Sequence, residues 1–366
     1  MNNKTACNYT NPLSHWNICK NGQICFTVKL DQRSTRITTF IRQTRRKRMN
    51  PRLTLLPLAF IVSSAQAQLE ETAGFSGEIS LNAGFVSSES NFNTDGDSTI
   101  PSLNQRAESD ESFIVAPLGS AAYTFGNKLN HQVYAGTTRS DIAIGTLAFQ
   151  IGYKYQLASG TVLDFSYLPT ILKGETWQDP YLTGQSRKTT DEGGNAFRLQ
   201  INRFLDNNFN LDLAYADKDV EKDTVTDPSL LRDAKIYHIK GGYRIPLSRT
   251  SMLQPAFTYI HHDADGDAES YNSYGLDLSW FKFIQRHRIV LTAGYAAKDF
   301  DAASTTFGKT RNDGTLSFFT AYEYKNVFDW QNWSFISLAG YSSTSSNITF
   351  YDEKEFLLST GLNYSF

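Results

Sequence analysis

The residues best suited to proton transfer are two adjacent histidines followed by an acid, His261, His262 and Asp263. A histidine held by a carboxylate can act as a general base and activate water for hydrolysis. Adjacent strand residues point to opposite faces, so only one of the two imidazoles could face a shared site. The sequence names no second carboxylate, and no serine or cysteine nucleophile is arranged around His238. We therefore predict a histidine pair at a loop edge and no enzyme, with hydrolysis at His261 or His262 as an alternative.

Two acidic stretches, residues 94–97 and 263–267, resemble fragments of calcium-binding loops. The full loop needs a spaced glutamate at its end and flanking helices. Neither stretch has both, although Glu269 follows the second. We predict solvated acidic loops, no metal ion and no cofactor. Calcium or magnesium that bridges lipopolysaccharide phosphates stays open as the weaker hypothesis.

Further charged side chains occupy alternate positions within otherwise apolar segments. A charge that faces lipid at mid-depth costs roughly 2–4 kcal/mol, so such residues should face the inside of a barrel. Acids and bases on one wall could select small hydrophilic solutes in a pore. They could equally pair with one another and fill a narrow barrel. The residues predicted to line the pore are Lys154, Asp164, Arg198, Asp212, His238, Lys240, Arg244, Asp277, Glu323 and Lys325.

The segments that carry these residues alternate apolar and polar side chains with a period of two. Phe209, Leu211, Leu213 and Tyr215, for example, are separated by Asn210, Asp212 and Ala214. A soluble β-sandwich would show the same alternation. The segments are nevertheless longer than the roughly 5–6 residues usual in soluble sheets. Aromatic residues recur near their ends, as in the girdles of membrane barrels.

These patterns predict an all-β fold, a closed antiparallel transmembrane barrel of about fourteen strands, with limits of twelve and sixteen. Short periplasmic turns should alternate with long outer loops, and an even count brings both ends to the periplasm. The long loop at residues 174–192 could form a constriction, a surface epitope or a compact packed loop. The expected strands cover residues 74–88, 112–125, 130–142, 146–157, 160–173, 193–204, 208–219, 234–246, 250–262, 270–283, 287–299, 312–325, 331–343 and 354–366.

The last predicted strand ends on an aromatic residue. This pattern resembles the C-terminal signal of bacterial outer-membrane proteins, which implies that the barrel assembly machinery reads it. We expect this strand to pair with the first one, because an open sheet edge is not tolerated in lipid. The residues of the predicted assembly signal are Phe356, Leu358, Leu362, Tyr364 and Phe366.

A narrower resemblance rests on residues 77–82 (GEISLN), 90–97 (SNFNTDGD) and 174–181 (GETWQDPY). These stretches look like those of a marine gammaproteobacterial, vibrio-like family of outer-membrane β-barrels described as a domain of unknown function. The resemblance covers residues 68–366. It implies the fold and the compartment and carries over no catalytic residue.

Charge divides the chain near Met49. Residues 1–48 hold ten Lys or Arg, one acid and all three cysteines, whereas residues 49–366 hold 25 basic and 36 acidic side chains. Residues 49–67 combine a short basic start, an apolar stretch and the ending Ala65-Gln66-Ala67, the pattern of a cleaved signal peptide. The run of residues 45–48 could be read as a nucleic-acid patch or a twin-arginine signal. We instead predict that residues 1–48 are a disordered leader that is not translated, and that residues 68–366 form the barrel.

The combined prediction is a Gram-negative outer-membrane protein that acts as a passive diffusion channel for small hydrophilic solutes. The alternatives are a plugged structural or surface barrel and a hydrolase at the rim. The expected partners are outer-membrane lipid and lipopolysaccharide, the barrel assembly machinery and small hydrophilic solutes, with no nucleic acid.

Overall fold

The computed structural model describes residues 17–18, 24–25, 69, 72–137, 148–170 and 173–366. The chain divides into two units, Met1–Gln66 and Ala67–Phe366. In the first unit, the described residues form two short strands, Asn17–Ile18 and Ile24–Cys25, which pair antiparallel. The predicted signal peptide lies outside the described residues. Residues 138–147 also lie outside them, and with them the end of the predicted strand 130–142 and the start of the predicted strand 146–157.

The second unit is a β-barrel of fourteen strands. Two of them, β5 and β8, consist of two segments that pair with the same neighbouring strand. The strands are β1 Gly74–Glu89, β2 Asp110–Phe125, β3 His131–Thr137, β4 Phe149–Gln156, β5 Val162–Pro169 and Gly174–Trp177, β6 Thr189–Phe204, β7 Phe209–Val220, β8 Ala234–Tyr243 and Ile245–Ser248, β9 Ser251–Ala264, β10 Tyr271–Ile284, β11 His287–Ala303, β12 Thr310–Lys325, β13 Trp333–Ser346 and β14 Glu353–Ser365. The predicted fold class and strand count are confirmed.

The sheet closes because β14 pairs antiparallel with β1, from Lys354 opposite Glu89 to Ser365 opposite Glu78. Beyond that ladder, Phe366 and Gly77 exchange two backbone hydrogen bonds of 2.9 Å. A ring without an open edge leaves no strand with unpaired backbone groups, which is the condition for crossing a bilayer. The described part of the chain contains no helix that is long and apolar enough to span a membrane.

The outer surface carries the apolar side chains of the alternating pattern. Phe75, Leu276 and Phe197 expose 81%, 65% and 59% of their surface. Aromatic rings gather near the strand ends, where Trp330 packs against Trp333 with ring centroids 6.1 Å apart. An exposed apolar belt with aromatic margins is the surface of an outer-membrane β-barrel.

The connections differ between the two ends of the barrel. Turns of two to seven residues join even-numbered strands to the next strand, and Asp206, Asn207 and Asn326 adopt left-handed backbone angles in them. This is the periplasmic end by the orientation rule for these proteins. The opposite, outer end carries connections of six to twenty residues, which include the longest ones.

Several outer connections are shorter than the sequence predicted. Residues 174–177 and 189–192 were expected to be loop, but Gly174–Trp177 pairs with the start of β6. This pairing places Thr176 opposite Thr190, and β-branched pairs favour a sheet. Strands β11 and β12 also continue to Ala303 and from Thr310. The sheet therefore extends beyond the apolar belt at the outer end. Strand residues there do not alternate between apolar and polar, so the sequence pattern did not predict them as strand.

Candidate functional site

The inner wall of the barrel carries ion pairs. Lys154 lies 3.7 Å from Asp164 on the neighbouring strand. Arg198 donates from Nε to both carboxylate oxygens of Asp212, at 2.9 and 3.1 Å. These two pairs join adjacent strands, so they lie along the wall of the barrel.

The other residues that the sequence singled out for this wall are half-buried and lie on the same face. Lys240 donates to Asp277 at 2.8 Å across one intervening strand. Glu323 accepts from Ser334 at 2.8 Å, near the periplasmic end. His238, Arg244 and Lys325 are half-buried as well. The structure thus places all ten residues on the face opposite the exposed apolar side chains, and a role in solute passage stays a prediction.

Tyr134 belongs to the inner wall although its residue type suggested the lipid face. Its hydroxyl donates to Asp164 at 2.7 Å, and Lys154 Nζ lies 4.4 Å from the centre of its ring. Tyr134 lies two residues from the polar Gln132 on the same strand, so both side chains point to the same face, and both are buried. This spacing could have revealed the orientation of Tyr134. The sequence reading missed Tyr134 because it treated aromatic residues as markers of lipid.

Arg203 is a second inner residue that alternation misplaces. Phe197, Leu199 and Ile201 alternate in step with Arg203, which would put Arg203 on the lipid face. The pairing of β6 with β7 shifts by one residue, however: Phe209 pairs with Phe204, while Asn210 pairs with Asn202. Arg203 is the extra residue of this bulge and has a left-handed φ of 59°. A bulge redirects a side chain, and Arg203 lines an internal cavity.

That cavity lies inside the periplasmic half of the barrel and has a volume of about 600 Å³. Its polar lining includes Glu78, Asn82, Arg203, Arg288 and Glu323. Arg288 Nη1 lies 3.4 Å from Glu323 Oε2, and Asn363 donates to Glu78 at 3.3 Å. The space therefore offers both charge signs to a small polar solute.

At the other end of the barrel, six outer connections pack into one cluster, which we call the loop dome. Phe350 and Leu230 expose 0% and 1% of their surface, as in the core of a soluble protein. Phe307 and Phe92 pack against the cluster from two of these connections. The buried residues of the loop dome are Ile100, Tyr181, Leu230, Ala268, Ile348, Phe350 and Tyr351.

The loop dome crosses the mouth of the barrel. Tyr181 follows β5, and Tyr351 precedes β14 on almost the opposite side of the ring. Tyr351 nevertheless donates to the Tyr181 hydroxyl at 3.1 Å, and Tyr181 donates to Glu269 at 2.7 Å. Loops from opposite sides can meet in this way only above the lumen. Residues 178–188, the part of the predicted loop at residues 174–192 that is not strand, belong to this cover.

Arg187 joins two of the loops. It donates to the backbone oxygens of Asn91 at 2.7 Å and Pro180 at 3.3 Å, and its guanidinium stacks on Trp177 at 4.2 Å. Burial lowers the pKa of Arg187 to about 10, while the nearby Asp97 opposes this shift. The side chain stays charged at neutral pH and replaces its water shell by carbonyl oxygens.

Asp227 joins two further loops. Its carboxylate accepts hydrogen bonds from Ser229 N at 3.1 Å, Thr305 Oγ1 at 2.8 Å and Thr306 N at 3.0 Å. Burial by itself would raise the pKa of Asp227, but these hydrogen bonds outweigh it and hold the pKa well below its usual value. The carboxylate is therefore ionised in the folded loop dome.

Glu269 has the opposite tendency. It is a buried carboxyl that accepts from Tyr181, and burial raises the pKa of Glu269 despite the nearby Arg311. Burial also raises the pKa of Tyr181 well above its usual value, so the phenol stays protonated as a donor. Glu269 is thus inclined to bind a proton, in contrast to Asp227.

Beneath the loop dome lies a smaller chamber of about 170 Å³, lined by Lys218, Arg232, Lys298, Arg311 and other residues. Three of these four cations form ion pairs. Lys218 pairs with Glu192 at 3.1 Å, Arg232 with Asp223 at 3.0 Å and Arg311 with Asp313 at 2.6 Å. The chamber wall is therefore largely neutralised by its own carboxylates.

The two adjacent histidines lie on opposite faces of β9. His261 stacks on Tyr237 with ring centroids 6.1 Å apart, and its Nδ1 lies 3.1 Å from Asn272 Oδ1. His262 is buried against Tyr271, and its Nδ1 has no hydrogen-bond partner among the described residues. Neither ring has a carboxylate hydrogen-bonded to it in the described part of the chain. The geometry thus offers no catalytic dyad to the hydrolase hypothesis.

The two acidic stretches are outer-loop segments. Asp95 N donates to Asn93 Oδ1 at 3.2 Å, a local turn contact. Gly266 N donates to Leu231 O at 3.1 Å, which ties the second stretch to the loop dome. Within the described residues, no group of three or more His, Cys, Asp or Glu is arranged to hold a metal ion.

Comparison with known proteins adds the following. A family model described as "Protein of unknown function (DUF2860)" matches residues 74–365. No curated protein matches the chain. Among solved structures, OpdQ of Pseudomonas aeruginosa is 12% identical to this chain with a TM-score of 0.35. The alignment covers 80% of this chain and 98% of the OpdQ chain. An anion-selective porin from Comamonas acidovorans is 9% identical with a TM-score of 0.41, covering 81% and 99%. The outer membrane channel DcaP of Acinetobacter baumannii is 9% identical with a TM-score of 0.39, covering 80% and 97%.

Proposed function

We propose that this chain, which belongs to the family described as "Protein of unknown function (DUF2860)", is an outer-membrane channel for small hydrophilic solutes. The observation that carries this proposal is the internal cavity of about 600 Å³ with a charged and polar wall. A wall of this kind can replace part of the hydration shell of a polar solute.

The arrangement of the ion pairs supports a channel over a filled barrel. Lys154–Asp164, Arg198–Asp212 and Arg288–Glu323 each join neighbouring strands. Pairs across the lumen would block the axis, whereas pairs along the wall leave it to water. Fourteen strands also make a wider interior than the filled eight-strand barrels.

The loop dome favours a second candidate, a plugged surface barrel. Its buried apolar core and cross-mouth hydrogen bonds cover the outer opening. In the channel proposal the loop dome restricts passage and has to loosen or leave a side opening for solutes. In the plugged alternative it closes the barrel permanently and presents a fixed surface.

The proposal extends to the route by which the protein reaches the membrane. Residues 49–67 act as a cleaved signal peptide, and the barrel assembly machinery reads the terminal strand that ends at Phe366. The source is a gammaproteobacterium of the vibrio type. Lipid surrounds the apolar belt, and lipopolysaccharide contacts the outer loops. No enzymatic activity and no bound cofactor are part of the proposal.

Single-channel recording in planar bilayers tests the proposed function. Protein purified from outer membranes should give discrete conductance steps after insertion. The Arg187→Ala variant, which frees two loops of the dome, should give larger or more frequent steps. Correct folding is checked by the shift in gel migration on heating. Folded protein that inserts repeatedly without steps, in both forms, would favour the plugged barrel.

A further inference from the structure

Among the described residues, two arginines on the inner wall near the periplasmic end, Arg203 and Arg244, have no carboxylate partner. Arg203 and Arg244 make no side-chain hydrogen bond and no ion pair with any residue that the structure describes. The Nε atom of Arg244 is buried without a hydrogen-bond partner. Apart from Arg244, each arginine or lysine that the sequence predicted to line the pore has a carboxylate or another partner. Buried polar groups are almost always satisfied, so the unpartnered Nε atom of Arg244 needs an explanation.

The two arginines belong to one place in the barrel. Phe209 on β7 pairs with Phe204 on one side and with Tyr243 on the other. Arg203 and Arg244 each directly adjoin one of these partners. Two strand spacings separate them, so their Cα atoms lie on the order of 10 Å apart. An arginine side chain can bridge much of this distance, which lets both guanidiniums reach a common ligand.

The local backbone is built to keep both side chains inside. Arg203 is the extra residue of the bulge, and its φ of 59° is uncommon for a residue other than glycine. Arg244 interrupts β8 between Tyr243 and Ile245, and its N–H donates to Asn208 O at 2.8 Å. Both irregularities occur at the same level on either side of β7. Without the bulge, alternation would turn Arg203 to the outer face of the barrel.

The space next to the pair can hold a solute. Arg203 lines the cavity of about 600 Å³, whose carboxylates Glu78 and Glu323 are engaged by Asn363, Ser334 and Arg288. Two like charges without an acid between them attract an anion, and the planar guanidinium matches the oxygens of carboxylate and phosphate groups. Basic residues on a pore wall also favour anions over cations.

We propose that Arg203 and Arg244 form a binding subsite for small anionic solutes that carry a carboxylate or phosphate group. This inference rests on the proposed channel function, since it names the class of solute that the lumen takes. An anion at this site would accept hydrogen bonds from both guanidiniums and supply the counter-charge that the barrel wall lacks there.

Calorimetric titration of the folded protein in detergent tests the subsite without requiring conductance. The probes are succinate and inorganic phosphate, which separate the two anion chemistries, with glucose as a neutral comparison. We expect at least one anion to bind and glucose not to bind. The R203Q/R244Q variant should bind that anion about tenfold more weakly or worse, because hydrogen bonds to charged groups are each worth at least this factor.

The control is R249Q, which removes an exposed arginine from the periplasmic turn next to Arg244 and should leave binding unchanged. If the double variant fails to fold, the single variants R203Q and R244Q are each expected to weaken binding. In bilayers, the double variant should also move the reversal potential in a KCl gradient toward cation selectivity.

The outcomes separate the subsite from the channel. Anion binding by a protein that shows no conductance steps would support the subsite and remove the channel function. Conductance without binding of either anion would overturn the subsite and leave the channel. Equal binding by the folded wild type and the R203Q/R244Q variant would also overturn it.

Discussion

The hydroxyls of Tyr181 and Tyr351 lie 3.1 Å apart, although their loops leave the barrel on nearly opposite sides of a fourteen-strand ring. A hydrogen bond over the axis of the barrel means that the outer mouth is covered. Buried aromatic rings and hydrogen-bonded polar groups stabilise the loop dome, as in the core of a small soluble protein. Passage of solutes therefore depends on how firmly these loops stay together.

Removal of the hydroxyl at the centre of this contact should loosen the loop dome. In Tyr181→Phe, Glu269 and Tyr351 each lose a partner inside the buried cluster, at a cost of about 1–3 kcal/mol. We expect faster cleavage of the outer loops by added protease and an unchanged barrel. Tyr341→Phe, on an exposed strand position, is the matched control. Equal cleavage rates for the two variants would speak against the contact as a restraint.

The pH should act on the loop dome through Glu269. Burial raises the pKa of Glu269 in the folded state, so its protonated form is favoured there. Protonated Glu269 therefore contributes fully to the stability of the loop dome below the pKa of an unfolded glutamate, about 4.3. This contribution is lost as the pH rises through the raised pKa that Glu269 has in the folded state. We expect outer-loop protection against hydrogen exchange to fall over that window. The fall should be absent in Glu269→Gln, which mimics the protonated side chain; its persistence would assign the effect to another group.

Asp227 should respond in the opposite direction. The pKa of Asp227 is lowered in the folded state, so its contribution is present above the unfolded pKa of about 3.9 and is lost as pH falls through the lowered value. Asp227→Asn weakens the hydrogen bonds to Thr305 and Thr306, which we expect to cost about 1.5–3 kcal/mol locally. Proteolysis within residues 304–309 at neutral pH measures this effect. Asp267→Asn, at an exposed loop position, should show none.

The pair Arg198–Asp212 should matter for the stability of the wall. In Arg198→Gln, Asp212 keeps its charge while its bidentate partner is gone. We expect this loss to cost less than the roughly 3–5 kcal/mol of a fully buried pair, because both side chains are partly exposed and Gln200 still donates to Asp212. The double variant R198Q/D212N should recover most of this loss, because no unpaired charge is left. The temperature at which heat-modified migration appears reports the change. A double variant as unstable as the single one would show that the pair acts through packing instead.

Insertion should depend on Phe366. Phe366 closes the barrel seam through two hydrogen bonds with Gly77, and its ring lies where a side chain on Gly77 would clash. We expect Phe366→Ala to lower the amount of folded protein in the outer membrane, measured by heat-modified migration of membrane fractions. Phe328→Ala, which removes an exposed aromatic from a periplasmic turn, is the control. Equal amounts of the two variants would argue against a special role of the terminal aromatic residue.

The sequence by itself was enough for the fold. Leu211, Leu213 and Tyr215 alternate with polar residues, and a period of two over so many segments admits only sheets. The pairing of the last strand with the first followed from the lipid requirement that no backbone group stay unpaired. The even strand count followed from the expectation that both ends of the barrel lie in the periplasm. Alternation also predicted the inner face for four charged residues, because a strand side chain points to one of only two faces and the apolar ones take the lipid side. These residues are Lys154, Asp164, Arg198 and Asp212.

The tertiary structure alone decided what lies inside and above the barrel. Arg203 turns inward because one extra residue in β6 breaks the alternation, and such a bulge is set by pairing with β7. Tyr181, Glu269 and Tyr351 lie 82 to 170 positions apart in the chain and meet only because the ring brings their loops over one opening. A period of two encodes which face a residue takes, but it carries no information on contacts between loops that the closed ring makes neighbours.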